Sequence, residues 1–336
     1  VPRRRLTPMP ASATTSAPPD PPGVPQLPPM LFNRVLITGA NGLLGQALVH
    51  RLSQNREYDV LATARDDAPR FEDGSCGYAP LDVTQPDDVA QIFEDFTPNV
   101  VVNCAPMTDV CRCDEHRIEA WAVNARAVKT LAKHCRTSGA RLVQVSTDFV
   151  FNGKRGPYDE QDRPDPVNYY GRTKLAGENA VREAGRANWA IVRTVLLYGT
   201  GRDLRRSNIV LWVADQLSQG ESLHIVDDQH RTPTHVDDLA DGIERLLHHE
   251  ATGIYHVSGA DMVSVYELAC AVAQEFGLDA SLVEPVPSSF FEDAVERPPR
   301  TGFVIDKARD ELDYDPRPLD AGLRDVQESL QGFSGS

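Results

Sequence analysis

Nowhere does the chain carry an apolar run approaching the roughly 18 to 20 residues needed to span a bilayer. Nothing near its start has the charged, apolar and small-residue phases of a secretory leader. A soluble cytoplasmic protein is expected. Cysteine is scarce: Cys76, Cys104, Cys111, Cys113, Cys135 and Cys270 are scattered through 336 residues. That is too sparse for a disulfide scaffold and ordinary for reduced thiols. Net positive charge is lacking as well. A formal charge of -15 argues against non-specific attraction to nucleic acid or to an anionic membrane, so neither is expected as a partner. The basic residues are mostly Arg, which suits a salt-rich cytoplasm and an acidic mesophile about equally. No internal repeat is present, and the length suffices for one large α/β domain with a smaller lobe.

Residues 1 to 29 are rich in Pro, Ser, Ala and Thr and have almost no periodic apolar pattern. They cannot bury enough surface to offset ordering, so a disordered tail is expected, or an over-long translation start upstream of Met30. From Arg34 the pattern changes. RVLITG reads as a strand ending in glycine, and GLLGQALVHRLSQ has helical apolar spacing. Further units follow: DVLATAR, NVVVNCA and ARLVQVSTD as strands, alternating with DDVAQIFEDF and AWAVNARAVKTLAKHCRTSG as helices. After them come the YYGRTKLAGENAVREAG helix, the strand WAIVRTVLLYG and a helix around NIVLWVADQLSQG. Continuous apolar strands alternating with helices predict a Rossmann-type, doubly wound parallel sheet. Residues 30–198 are expected to form the dinucleotide-binding domain and 199–330 mainly a smaller substrate lobe on the carboxyl side of the sheet, with part of 225–260 returning to the first domain.

Gly39, Gly42 and Gly45 form G-x-x-G-x-x-G between the first strand and the first helix, with Asn41, Leu43 and Leu44 among them. Glycines let the backbone turn tightly and approach a pyrophosphate seated at an amide-rich helix start. An acidic residue normally ends the second strand and binds the adenosine ribose. Here VLATA gives Ala64 and then Arg65, whose guanidinium suits a 2′-phosphate. NADP(H) is therefore expected ahead of NAD(H). The alternative is a solvated Arg65 with Asp66 or Asp67 reaching the ribose. Tyr170 and Lys174 stand four apart in YYGRTK and so share a helix face. An ammonium beside a phenol would lower its pKa toward the range useful for proton transfer. Upstream, a strand ends in Ser146, Thr147 and Asp148. The run CRCDEH offers Cys111, Cys113 and His116 but no second ligand pair at zinc spacing, so no metal is expected.

With those three elements, the chain resembles the extended short-chain dehydrogenase/reductase family. Over roughly Leu31 to Leu330 it looks most like the dTDP-4-dehydrorhamnose reductases, through TGANGLLG, LDVT, VVNCA, STDFVF, YYGRTKLAGE, RTVLLYG, DDQHRTPTHVDDLA, GIYHVSG and ERPPRTGFVID. The resemblance implies reduction of the 4-keto group of a nucleotide-linked deoxysugar. In this reading Thr147 hydrogen-bonds the substrate carbonyl, Tyr170 supplies the proton, and Lys174 binds the nicotinamide ribose while tuning the tyrosine. Asp82 and Val83 would lie by the adenine, Cys104 and Ala105 at the cofactor's strand end. Thr108 and Asp148 would border the sugar, Arg297 would meet a nucleotide diphosphate, and a homodimer stays open. Asn124 either holds the helix backing the site or is simply a buried, backbone-bonded amide.

Two departures touch the sugar pocket. Cys111 follows Thr108, Asp109 and Val110 where Thr-x-Val-Asp is common in that branch, and Leu196 stands where a Trp is usual. Two other functions compete. One is a nucleotide-sugar epimerase or dehydratase, disfavoured because no acid pair follows Thr147. The other is a non-catalytic protein resembling the regulatory beta subunit of methionine adenosyltransferase, disfavoured because Thr147, Tyr170 and Lys174 are all present.

Overall fold

The computed structural model describes residues 33–71, 76–185, 188–291 and 295–334. The Pro-rich stretch 1–29, expected to be a disordered tail, lies outside the described residues.

The β-branched runs form β1 (Asn33–Thr38), β2 (Tyr58–Ala64), β4 (Val100–Asn103), β5 (Arg141–Thr147) and β6 (Trp189–Thr194), with the short β3 (Gly77–Pro80) between β2 and β4. They alternate with α1 (Leu43–Gln54), α2 (Pro86–Phe96), α3 (Val110–Glu115), α4 (Arg117–Trp121), α5 (Val128–Ser138) and α6 (Tyr169–Glu183). Then follow β7 (Leu197–Tyr198), α7 (Ile209–Ser218), β8 (Leu223–Val226), β9 (His230–Arg231), β10 (Thr234–His235), α8 (Val236–His248) and β11 (Gly253–His256). The last elements are β12 (Val263–Ser264), α9 (Val265–Glu275), β13 (Val283–Val286), α10 (Asp306–Leu312) and α11 (Leu319–Ser334).

Among the described residues, seven strands make one parallel sheet in the order β3-β2-β1-β4-β5-β6-β11. The strand order reverses between β1 and β4, which opens a crevice at the carboxyl edge. The two-residue period of β1 divides the core. Val35 and Ile37 face a cluster with Leu48 of α1 and with Leu239 and Ile243 of α8, while Leu36 joins Val101, Leu131, Leu142 and Ile191 on the other side. Both faces are therefore dry, which is why these strands tolerate unbroken apolar sequence. A third cluster holds the lobe, where Val210, Val213 and Leu217 of α7 meet Leu268 and Val272 of α9 and Leu323 of α11.

The chain returns to the sheet through α8, packed on α1, and β11, registered on β6 from Gly253↔Ala190 to His256↔Arg193. It returns again through α10, packed on α8 and β11. Three details differ from the sequence reading. The short strand β3 has no apolar run to announce it. The helix expected from Ala120 to Gly139 contains a π-helical turn, Ala122–Ala127, between α4 and α5. The expected strand WAIVRTVLLYG breaks at Leu196, which takes φ 38°, so that β7 leaves the sheet to pair with β10. A positive φ is uncommon for a non-glycine residue.

Candidate active site

The glycine-rich turn is set by contact rather than flexibility. Gly39 has φ +70°, and a Cβ there would lie 2.3 Å from the Cys104 carbonyl oxygen. A Cβ on Gly45 would lie 2.3 Å from the Gly39 carbonyl oxygen. Gly42 caps α1 with extended backbone and no side-chain cap, so the first amides of the helix are available to an anion. Asn41 pins the turn to the segment after β2: its Nδ2 donates to Asp66 Oδ2 at 2.9 Å, and its Oδ1 accepts from the Arg70 amide at 2.9 Å. Leu43 is half-buried and Leu44 buried.

The other residues expected at a cofactor stand along the same carboxyl edge. Arg65, directly after β2, is exposed and makes no hydrogen bond or ion pair among the described residues. Asp82, after β3, spends one oxygen on its own turn, accepting from the Thr84 amide at 2.9 Å and the Thr84 hydroxyl at 2.7 Å, beside the buried Val83. Cys104 and Ala105 follow β4, and burial pushes the Cys104 thiol up to about 12.

Thr147 ends β5, and α6 begins opposite it because Asn168 caps that helix, accepting from the Gly171 amide at 2.9 Å. This start puts Tyr170 and Lys174 on the face turned to β5. Tyr170 is buried edge-on to Phe149, with ring centroids 5.7 Å apart, among Val110, Cys113 and Ala120. Lys174 Nζ donates to the Val145 carbonyl oxygen at 2.8 Å. The expectation that Lys174 lowers the Tyr170 pKa needs correction. Burial pushes the phenol above its ordinary value, and the main opposition is a hydrogen bond with Thr147. Lys174 is itself pushed down to about 8 by burial, against the pull of Glu178. The two residues share a helix face, and desolvation sets the direction of both shifts.

Asp148, expected at the sugar, is buried, and its carboxylate is engaged internally. Oδ1 accepts from the Thr147 hydroxyl at 3.1 Å, and Oδ2 takes the Thr301 hydroxyl and faces Arg231 Nε at 3.6 Å. Burial raises its pKa against Arg231 and Thr301. The geometry makes it a brace for Thr147 rather than an open substrate ligand. Thr108 and Arg297 are exposed, and Arg297 is close enough to Asp109 and Arg231 to act on both electrostatically. Asn124, inside the π-helical turn, accepts from the Met107 amide at 2.9 Å and donates to the Met107 carbonyl and the Thr173 hydroxyl, each at 3.0 Å. It thereby ties the loop after β4 to the helix carrying Tyr170. Cys111, Cys113 and His116 do not converge as a metal-binding group among the described residues.

Two features escaped sequence reading. Arg231, buried and lying over the Phe149 ring at 5.5 Å, sits in a polar run with no periodic signal. Glu178, in an unremarkable helical register, is fully buried against Arg193.

A family model described as RmlD substrate binding domain matches residues 33–331. The dTDP-4-keto-6-deoxy-D-glucose reductase of Streptomyces niveus is 37% identical over 282 residues, 83% of this chain and 91% of that protein. The methionine adenosyltransferase 2 subunit beta of Bos taurus is 36% identical over 261 residues, 76% of each chain. Among solved structures, dTDP-4-dehydrorhamnose reductase from Bacillus anthracis in complex with NADP superposes with a TM-score of 0.80 at 32% identity, covering 89% of this chain and 99% of that one.

Proposed function

The chain belongs to the RmlD substrate binding domain family, and we propose that it is an NADPH-dependent reductase of the 4-keto group of a nucleotide-linked deoxysugar, of the kind that forms dTDP-L-rhamnose. The observation that carries this reading is the convergence of Thr147, Tyr170 and Lys174 at the carboxyl edge of β5, beside a turn whose glycines permit close backbone approach.

The turn fits a dinucleotide. The positions facing Cys104 and the Gly39 carbonyl exclude even a Cβ, and the uncapped amides of α1 would hold a pyrophosphate. NADPH, when bound, would supply the hydride. Tyr170 then gives its hydroxyl proton to the substrate oxygen as negative charge develops there, while the Thr147 hydroxyl turns its one proton from Asp148 to the same oxygen. Asp148 lies directly beside Thr147, and Lys174, whose ammonium donates to the Val145 carbonyl, would hold the nicotinamide ribose. Arg297 and Thr108, exposed at the mouth, would meet the sugar nucleotide.

The test is NADPH oxidation, followed by absorbance, against a panel of 4-keto-6-deoxy nucleotide sugars, with dTDP-4-dehydrorhamnose first. Turnover that needs both the sugar and Tyr170 supports the reading. The likeness to methionine adenosyltransferase beta subunits favours a second reading, a non-catalytic regulatory subunit, and NADPH binding with no turnover of any panel member would put it ahead.

A further inference from the structure

Beyond Arg65, two more guanidiniums gather where β2 ends, and both are tied to one carboxylate. Asp66 Oδ2 accepts from Arg70 Nε at 3.0 Å, and Asp66 Oδ1 is paired with Arg205 Nη2. Arg205 comes from 139 residues further along the chain, on the loop between β7 and α7. That loop is strapped over the glycine-rich turn. Gln46 Nε2 donates to the Arg202 carbonyl at 2.8 Å, the Arg202 amide donates back to Gln46 Oε1 at 2.9 Å, and Arg70 Nη1 donates to the Asp203 carbonyl at 2.9 Å. The far end of the same loop brings Arg206 to within 3.8 Å of Asp109, which caps α3.

The end of the second strand is where the adenosine ribose of a dinucleotide falls in such folds. A phosphomonoester there carries about -1.5 to -2 charge and three acceptor oxygens, so it is a stronger partner for two guanidinium forks than a single carboxylate is. We propose that Arg205, with Arg70, is a ligand of the 2′-phosphate of NADPH, and that Asp66 is the internal counter-ion this phosphate displaces. The inference rests on the proposed use of a nicotinamide dinucleotide and adds to it a residue from outside the β1-α1-β2 unit. The displaced carboxylate stays near the ribose, so Asp66 opposes the phosphate and supports the unphosphorylated ribose diol.

Calorimetric titration of the full chain with NADPH and with NADH, in the wild type, Arg205→Ala and Asp66→Asn, tests it without reference to turnover. The Arg205 side chain is 61% exposed, so its removal leaves the core intact. Arg205→Ala should weaken NADPH by about tenfold, the loss of one charge-assisted contact, and leave NADH within about twofold. Asp66→Asn should tighten NADPH and leave NADH equal or weaker. The nicotinamide-free pair 2′,5′-ADP and 5′-AMP should show the same contrast. Equal weakening of both dinucleotides by Arg205→Ala would make the loop a strap without phosphate recognition and overturn the inference, as would no effect on either. Weaker NADPH binding in Asp66→Asn would overturn the displacement. A wild type that binds neither dinucleotide would overturn the proposed function and this inference together, whereas a wild type that binds both with a ratio indifferent to Arg205 would overturn this inference alone.

Discussion

Glu178 and Arg193 meet in a two-point ion pair sealed from solvent, with Arg193 Nε to Glu178 Oε1 at 2.9 Å and Nη2 to Oε2 at 2.8 Å. Glu178 lies one turn beyond Lys174 on α6, Arg193 is on β6, and the Ser146 hydroxyl of β5 also donates to Glu178 Oε1 at 2.6 Å. Three elements are thus joined directly behind Thr147 and Lys174. Removing one partner leaves a buried charge unpaired, at a cost of about 3 to 5 kcal/mol. Glu178→Ala should therefore lower the urea midpoint strongly. The double variant Glu178→Leu with Arg193→Leu should lose less than the sum of the single variants. Additive losses in a denaturation cycle would show that the pair acts as two independent residues.

Tyr170→Phe should lower kcat by about 100- to 10,000-fold, the range of general acid catalysis, with NADPH affinity nearly unchanged because the phenol hydroxyl is assigned to the substrate oxygen. Lys174→Ala should damage both, since the same ammonium is assigned to the ribose. Steady-state kinetics paired with NADPH titration separate the two. Near-normal turnover in Tyr170→Phe on a sugar the wild type reduces would remove Tyr170 from the chemistry.

Arg65→Ala should cost NADPH about 1.5 to 3 kcal/mol of binding free energy, the range for a hydrogen bond to a charged group, and spare NADH. Arg65 is exposed and has no partner among the described residues, so its loss removes no internal bond. Fluorescence titration of both cofactors reads the difference directly. Equal wild-type affinities for NADPH and NADH would refute a phosphate-reading role for Arg65.

The central sheet was legible because most of its strands carry β-branched runs, such as Val100 to Val102, and the glycine-rich turn because Gly39, Gly42 and Gly45 lie between a strand and a helix. The placement of Tyr170 and Lys174 on one face of α6 followed from helical spacing. What stayed hidden depends on the third dimension. Four-residue β3 is held by its register on β2 rather than by apolar content. The contact of Arg205 with Asp66 joins residues too far apart for any local pattern. The direction of the Tyr170 shift depends on burial among Val110, Cys113 and Ala120, which a Tyr-x-x-x-Lys spacing does not encode. Asp148 shows the same limit, because its neighbours Thr301 and Arg231 come from distant segments.

The alkaline limb of the reductase reaction should belong to Lys174. Burial holds the Tyr170 phenol above its ordinary value, so the proton it donates is retained well into the alkaline range and cannot set that limb. Lys174, pushed down to about 8 by burial, loses its charge first, and with it the ammonium assigned to the ribose. kcat/KM for reduction should therefore fall as pH rises through about 8. The effect on stability has the opposite sign. A lysine whose folded pKa lies below its unfolded value of about 10.4 binds fewer protons when folded across that window, so its own contribution to stability rises with pH between the two values. Activity should decline while the difference in unfolding free energy between the wild type and Lys174→Met shifts in favour of the wild type. Denaturation curves and pH-rate profiles collected between pH about 7 and 10 check both halves. A fall in activity that tracks unfolding, or an alkaline limb unmoved in Glu178→Gln, where loss of the carboxylate should draw the Lys174 pKa lower still, would assign the limb to another group.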